Sequence, residues 1–264
     1  SPNRVYGGME FPLSKVQEIR KAVPGVTVND VATAVCSRAM RTYLAANDGL
    51  PDDSLLSMVP ISLRGAEEAK DGGNSISIVN VPIHTDIEDP LELLETVHTT
   101  MKLAKAQRID VGESLEVQLI NSVPNLMQTG INRLMNATTK MGRSAVPVNT
   151  TISNVPGVPV PLYFAGAKAV KVHGIGFLQH GLGLFHSITS YNGELCMSFL
   201  ACREMMPDPE VYHKMMEQAF SDIYNAAIAA APAKAAKPRK PAKPVKAKKP
   251  TAKKISAAKN ANVK

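Results

Sequence analysis

Strand-like and helix-like stretches alternate along the first 230 residues of this chain, but not in a strict strand–helix–strand order. Short runs with a two-residue apolar period predict strands at residues 5–13, 55–63 and 74–84. Stretches with helical apolar spacing stand between them, for example at residues 28–46 and 91–106. Strands without regular crossovers form a mixed sheet, so this order predicts an α/β or α+β fold with helices packed on a mixed sheet.

Turn and cap residues mark where several of these elements begin and end. Thr27 followed by Asp30 predicts a capping box at the start of a helix. Asn192-Gly193 predicts a tight hairpin between two apolar runs. Gly7-Gly8 inside the first strand indicates either a bulge or a close approach of another chain segment. A further helical region is predicted at residues 114–135, interrupted by a proline.

The basic charge of the chain is concentrated in its last 33 residues. Residues 232–264 hold eleven lysines, one arginine and no acidic residue, whereas the rest of the chain is mildly acidic. The same stretch repeats Lys-Pro and Ala-Lys and has too little apolar surface to fold. We therefore predict a folded domain over residues 1–230 and a disordered Lys/Pro/Ala-rich tail over residues 231–264. Such a tail suits anionic lipid headgroups or nucleic acid phosphates.

The sequence favours neither a metal nor a bound cofactor. The three cysteines have no disulfide or zinc spacing, and they are interpreted as core thiols in a reducing compartment. No two of the six histidines stand at ligand spacing with a third candidate nearby. His180 and His186 flank a glycine-rich loop and could be an acid or a base, although a surface or hydrogen-bonded core position is the commoner one. A P-loop, a dinucleotide fingerprint and a Gly-x-Ser-x-Gly elbow are also missing.

One short predicted strand, Asn149–Gly157, has an unusual composition. It alternates, and the face that carries Thr151 and Ser153 is entirely small and hydrogen-bonding. The strand then stops at a Pro-Gly pair. Hydroxyls on a rigid strand beside a sharp turn can donate hydrogen bonds to a developing oxyanion. An edge strand with its polar face toward water is the other interpretation, and spacing alone favours that one.

Six short motifs follow one another in a fixed order over nearly all of residues 1–230. They are Thr27-Val-Asn-Asp-Val31; Met58-Val-Pro-Ile-Ser-Leu-Arg64; Gly73-Asn74 with Asp86 and Asp89-Pro90; Asn149-Thr-Thr-Ile-Ser-Asn-Val-Pro-Gly157; Pro161-Leu-Tyr163 with Gly166; and Ser190-Tyr-x-Gly-x-Leu195 ending at Pro207-Asp208. Together they resemble the C-terminal half of the bacterial wax ester synthase/acyl-CoA:diacylglycerol acyltransferase family. The lysine-rich tail is not part of that family pattern.

The resemblance implies a chloramphenicol acetyltransferase-like fold, in which two similar halves enclose a tunnel. It implies transfer of a long-chain acyl group from acyl-CoA, as co-substrate, to diacylglycerol in triacylglycerol synthesis or to a long-chain alcohol in wax ester synthesis. In the family the general base is the second histidine of His-His-x-x-x-Asp-Gly, in the N-terminal half. This chain contains no His-His pair. The chain alone is therefore expected to be inactive and to need a partner half.

The resemblance also assigns residues to the site. Ser153 and then Thr151 match the segment that supplies the oxyanion-stabilising hydroxyl, and Asn154 could orient that hydroxyl or brace the turn. Asn29 and Asp30 match the family's Asn-Asp motif, interpreted as a structural brace at a helix start. Apolar side chains of the predicted 114–135 region could line a lipid tunnel or be plain core. These are Leu115, Leu119, Leu126 and Met127.

Partners and location follow from the same two sources, the resemblance and the tail. The expected partners are the N-terminal half, the acyl substrates and an anionic membrane or lipid-droplet surface, which implies a cytoplasmic protein at the periphery of the inner membrane. A chain that begins at Ser1 without Met is also expected to have lost an upstream segment. The alternative function is a non-catalytic acyltransferase-like module that binds anionic membrane or nucleic acid through the tail.

Overall fold

A computed structural model describes residues 2–62, 76–111, 148–178 and 181–231. They belong to one compact unit, Ser1–Pro232. The tunnel-lining candidates Leu115, Leu119, Leu126 and Met127 and the predicted helical region 114–135 lie outside the described residues, as does His180. The domain boundary at residue 230 stays a prediction.

The described elements follow the predicted order closely. They are β1 Arg4–Pro12, α1 Leu13–Ala22, α2 Val28–Ala46, β2 Leu56–Ser62, β3 Ile76–Pro82, α3 Pro90–Val111, β4 Thr150–Val155, β5 Tyr163–Phe164, β6 Ala167–Lys168, β7 Leu184–Tyr191, β8 Glu194–Cys202 and α4 Pro209–Ala230. Helix α3 runs five residues beyond its predicted end near Ala106. Asp89 caps it, because the carboxylate accepts hydrogen bonds from the backbone N–H groups of Leu91 and Glu92 at 2.9 and 2.8 Å.

The strands β1-β8-β7-β4-β2-β3 form a mixed sheet in that order. Strand β4 is parallel to both of its neighbours, β2 and β7, and the other pairs are antiparallel. The edge-strand interpretation of residues 149–157 is therefore wrong. Strand β4 pairs with β2 on one side and with β7 on the other, so it lies in the interior of the sheet. The spacing of residues within one strand cannot reveal such long-range pairing.

Alternate strand residues build the hydrophobic core against the helices. Phe11 of β1 stacks on Phe220 of α4 with ring centroids 4.2 Å apart, and Phe199 of β8 meets Tyr212 edge-on at 4.9 Å. Gly7 makes this packing possible, because a β-carbon there would overlap the Phe199 ring. The register of β1 on β8 is continuous, so Gly7-Gly8 does not form a bulge. Instead, other side chains approach the backbone closely at these two glycines. The mixed sheet with packed helices is thus confirmed.

The opposite face of the sheet is covered in part by residues 156–178, here called the crossing segment. It leaves the end of β4 and includes the small β5–β6 hairpin. Its later part lies over β7 and β8, because β-carbons added at Gly174 and Gly176 would overlap the side chains of Ser187 and Phe185. Among the described residues, the helices therefore pack on one face of the sheet, and the crossing segment covers part of the other.

Candidate active site

The two faces of β4 differ in their surroundings. Thr150 and Ile152 are fully buried on the helix side, where the Thr150 hydroxyl donates to the Leu184 carbonyl at 3.0 Å. Thr151 and Ser153 alternate with them and so lie on the face opposite the helices. Thr151 is only 5% exposed, whereas Ser153 is partly accessible. The predicted oxyanion donors are thus brought together on one face of a rigid interior strand.

A row of serines extends from Ser153 across the neighbouring strands. Ser153 of β4 is in register with Ser187 of β7, and Ser187 is in register with Ser198 of β8. The Ser198 hydroxyl donates to the Gly174 carbonyl of the crossing segment at 2.6 Å. Sequence reasoning missed Ser187 and Ser198. The predicted turn at 192–193 fixes the hairpin register and so already implied that these two residues face each other.

The Pro-Gly turn after β4 is fastened to the end of β7. The backbone N–H of Gly157 donates to the Ser190 hydroxyl at 3.2 Å, and the N–H of Asn192 donates to the Val158 carbonyl at 3.1 Å. A β-carbon at Gly157 would overlap the Ser190 carbonyl. The turn can approach β7 this closely only because glycine occupies this position.

Asn154 lies on the helix side and contacts the start of α2. Its amide donates to the Asn29 side-chain oxygen at 3.4 Å, a long hydrogen bond. Ser153 is the next residue along an alternating strand, so the two side chains leave β4 on opposite faces. Bracing of the strand end is therefore the role that this contact favours for Asn154, and orientation of the hydroxyl stays a prediction.

Asp30 ties the same helix start to α3. The N–H of Asp30 donates to the Thr27 hydroxyl at 3.2 Å, and the Asp30 carboxylate accepts from the N–H of Thr27 at 2.8 Å, which confirms the capping box. The Asp30 carboxylate also lies 2.8 Å from His98 Nδ1. Its side chain is only 2% exposed. These contacts occupy the carboxylate and give Asn29 and Asp30 a structural setting.

The crossing segment is held to β1 by a charged cluster. Glu10 accepts hydrogen bonds from Lys171 Nζ and from His173 Nε2, both at 2.6 Å. Burial alone raises the pKa of Glu10, but the hydrogen bonds and charges of Lys171 and His173 outweigh it and lower the pKa below its ordinary value. The segment is also attached to β7 by uncharged hydrogen bonds. The Tyr191 hydroxyl accepts a hydrogen bond from the N–H of Leu162 and donates one to the Ala169 carbonyl, both at 2.9 Å.

The described histidines do not form a catalytic pair with Ser153. His186 lies on the helix side, with Nε2 2.8 Å from the Tyr212 hydroxyl, and burial lowers its pKa to about 3. His173 lies beside Gly8, three strands away from Ser153 in the sheet order, roughly 14 Å by strand spacing. Among the described residues no cluster of three or more His, Cys, Asp or Glu side chains could hold a metal ion.

Large apolar side chains of the crossing segment are exposed. Tyr163, Phe164, Val170 and Phe177 are 68%, 85%, 80% and 70% exposed. Isolated exposed apolar residues are ordinary, but several in one short segment mark a contact surface. The crossing segment is therefore a candidate contact surface among the described residues.

Comparison with known proteins identifies the family to which this chain is similar. The family described as "WS/DGAT C-terminal domain" matches residues 72–224. A protein of Mycobacterium tuberculosis named as a diacylglycerol O-acyltransferase is 33% identical over 225 residues, which are 84% of this chain and 48% of that protein. The O-acyltransferase WSD of Acinetobacter baylyi is 32% identical over 209 residues, covering 78% of this chain and 43% of that protein.

A solved structure supports the same assignment. The wax ester synthase/diacylglycerol acyltransferase of Marinobacter aquaeolei superposes with a TM-score of 0.65 at 27% identity, covering 85% of this chain and 49% of that one. The chain therefore spans about half the length of the relatives that it matches.

Proposed function

Because this chain belongs to the wax ester synthase/diacylglycerol acyltransferase family and contains its C-terminal domain, we propose that it forms one half of an acyl-CoA-dependent O-acyltransferase. The reaction moves a long-chain acyl group from the thioester to a lipid hydroxyl, either of diacylglycerol or of a long-chain alcohol. The observation that carries this proposal is the pair of hydroxyls, Thr151 and Ser153, on the face of interior strand β4 that lies opposite the described helices.

In the proposed mechanism the partner half supplies the base and this half supplies the oxyanion donors. The second histidine of the partner's His-His motif takes the proton of the acceptor hydroxyl, whose oxygen attacks the thioester carbonyl. The new C–O bond forms, and the carbonyl oxygen gains negative charge that Ser153, assisted by Thr151, stabilises by donating a hydrogen bond. Collapse breaks the C–S bond, and the CoA thiolate takes the proton from the histidine.

Rigid placement supports this role for β4. Its helix face is fixed by fully buried Thr150 and Ile152, and its end is fastened at Gly157 and Asn154. A donor that cannot relax needs little reorganisation when charge develops, which is what makes such donors effective. The residue in register with Ser153 on β7 is Ser187, so the neighbouring strand places no negative charge at this position to oppose the oxyanion.

The partner half is proposed to pack against the crossing segment. Its exposed aromatic side chains, Tyr163 and Phe164, offer apolar surface in the β5–β6 hairpin, which the Tyr191 hydroxyl holds to β7. Packing there would close water out of the site and so strengthen the hydrogen bond to the oxyanion. Acyl-CoA would then act as a co-substrate between the two halves, with no bound cofactor required.

The basic tail is proposed to hold the enzyme at an anionic lipid surface, where its acceptor lipids reside. Each lysine near such a surface contributes about 1 kcal/mol, and residues 232–264 contain eleven of them. The tail has no aromatic residue to stack on bases, which favours lipid over nucleic acid. In the described part of the chain, no helix is both long and apolar enough to cross a bilayer.

Thiol release from a long-chain acyl-CoA tests the proposal, with diacylglycerol or a fatty alcohol as acceptor. We expect activity only when this chain is mixed with the half that carries the His-His motif. Ser153→Ala with Thr151→Ala should lower the rate about a hundredfold or more. The matched control is Ser221→Ala with Thr42→Ala, which removes two exposed hydroxyls from helices.

Two results would contradict it. Activity from this chain alone would place the base here, and His173, His180 and His186 would then be tested. Full activity in the Ser153/Thr151 double variant would remove the oxyanion assignment, even if the two halves were shown to associate.

A further inference from the structure

A cavity of about 620 Å³ lies at the end of the sheet where strand β4 begins. Its size falls within the range of small-molecule sites, roughly 300–1,000 Å³. Val148 and Asn149, just before β4, form part of its wall, together with the later half of α2 and the start of β7. Asn149 precedes Ser153 by four residues, roughly 13 Å along a strand. The cavity therefore lies at the start of β4, whereas Ser153 and the Pro-Gly turn lie toward its end; Thr151 is two residues from Asn149, roughly 7 Å along the strand.

The lining is uncharged and mostly aliphatic. No charged side chain is among the described residues that form it, and the wall includes Met40, Leu44, Leu55, Leu184 and Met206. A phosphate, a carboxylate or a CoA headgroup would find no countercharge among these described lining residues. Methionine and leucine adapt to flexible chains better than to rigid planar ligands, because methionine has three rotatable bonds and a polarizable sulfur.

Three polar side-chain atoms of the lining already have partners within the protein. The Tyr43 hydroxyl donates to the Asp208 carboxylate at 2.6 Å, and the Tyr212 hydroxyl lies 2.8 Å from His186 Nε2. Asn149 accepts the N–H of Leu56 at 2.8 Å through its side-chain oxygen. The two tyrosines therefore turn their rings and not their hydroxyls to a ligand, so the cavity matches an apolar occupant.

One lining residue is an exposed methionine that rests on a glycine. Met205 is 65% exposed, and a β-carbon at Gly183 would overlap its sulfur. Gly49 and Gly181 also line the cavity without contributing side chains. The flexible, uncharged Met205 side chain and the lining glycines leave room for an aliphatic chain to enter from solvent, with its polar headgroup outside.

We propose that this cavity binds the aliphatic chain of a single-chain lipid, such as a fatty acid, at a site separate from the acyl group being transferred. The headgroup stays in solvent beyond Met205, and the chain lies among the methionine and leucine side chains. This inference does not depend on the acyl transfer proposed above, because it concerns binding to this chain alone.

Displacement of the fluorescent polyene parinaric acid by saturated fatty acids tests it on the full chain. Each methylene added between octanoate and palmitate should tighten binding about fourfold until the cavity is full. Gly49→Phe fills the cavity from a position where a β-carbon is 3.7 Å from its nearest neighbour, and Met205→Glu places a charge at the entrance. Each should weaken binding about tenfold or more, because apolar volume is lost or a charge opposes the chain.

Matched controls separate this site from others. Gly49→Ala leaves the cavity open, and Ile228→Glu adds the same charge to an exposed apolar position of α4 that does not line the cavity. Both should bind as the wild type does, and so should Ser153→Ala with Thr151→Ala. Circular dichroism establishes that Met205→Glu and Gly49→Phe are folded.

Three outcomes would overturn the proposal. The first is a wild-type chain that binds no fatty acid. The second is unchanged binding in both Gly49→Phe and Met205→Glu, which would place the lipid elsewhere. The third is loss of binding in the Ser153/Thr151 double variant, which would place the lipid in the transfer site.

Discussion

Lowering the pH is expected to destabilise this protein through one buried histidine. His186 is fully buried beside Tyr212, and burial lowers its pKa from 6.5 to about 3. Because the folded-state pKa lies below the unfolded-state value, the unfolded chain binds the proton more readily. The stability that depends on neutral His186 is complete above about pH 6.5 and is lost as the pH falls toward 3.

The size of the effect follows from the two pKa values. At about pH 5 the unfolded-state imidazole is almost fully protonated, whereas the folded-state imidazole is still neutral. The folded state then loses about 2 kcal/mol relative to neutral pH, since each unit of pKa difference is worth about 1.4 kcal/mol. That is a substantial part of the roughly 5–15 kcal/mol by which domains are stable.

Urea unfolding near pH 7.5 and near pH 5, for the wild type and for His186→Gln, measures this. Glutamine does not titrate and can still hydrogen-bond to the Tyr212 hydroxyl. The free energy of unfolding should fall by about 2 kcal/mol less in the variant than in the wild type. His213→Gln, at a 30% exposed side chain, is the control for replacing a histidine by glutamine elsewhere in the protein. Equal losses in the wild type and in His186→Gln would refute the reasoning.

Two further predictions concern the turn after β4 and the tail. Gly157→Ala should lower the free energy of unfolding by about 1–3 kcal/mol in urea melts, because its β-carbon overlaps the Ser190 carbonyl. Gly49→Ala is the matched control, because its β-carbon would make only ordinary van der Waals contacts at 3.7 Å or more, and equal stability of the two variants would contradict the overlap. Binding to phosphatidylglycerol vesicles should weaken as salt is added and vanish when residues 232–264 are removed. Salt-independent binding, or binding by the truncated chain, would show that the lysines are not the tether.

Local chemistry was enough to predict most elements and their ends. The capping box of Thr27 and Asp30 and the hairpin at Asn192-Gly193 depend on residues close in sequence, and both are confirmed. Asn192 and Gly193 have φ angles of 47° and 90°, the left-handed values that a type I′ turn requires.

Local sequence patterns could not predict which strands pair with β4. The alternation of Thr151 and Ser153 predicted a common face, but an edge strand and an interior strand share that pattern. The parallel neighbours of β4 come from residues far away in the sequence, and only they decide between the two. The contact of Glu10 with His173 likewise joins residues 163 apart, with no local signal to indicate it.

The two faces of β4 explain why a site can be built on an interior strand without weakening the fold. The helix face carries the strand's packing through Ile152 and through the hydrogen-bonded Thr150, both fully buried. Thr151 and Ser153 are therefore not needed to hold the strand in place, and small hydroxyl side chains can occupy the other face. Their replacement by alanine removes donors and little volume, so a loss of activity in that variant would report on chemistry and not on unfolding.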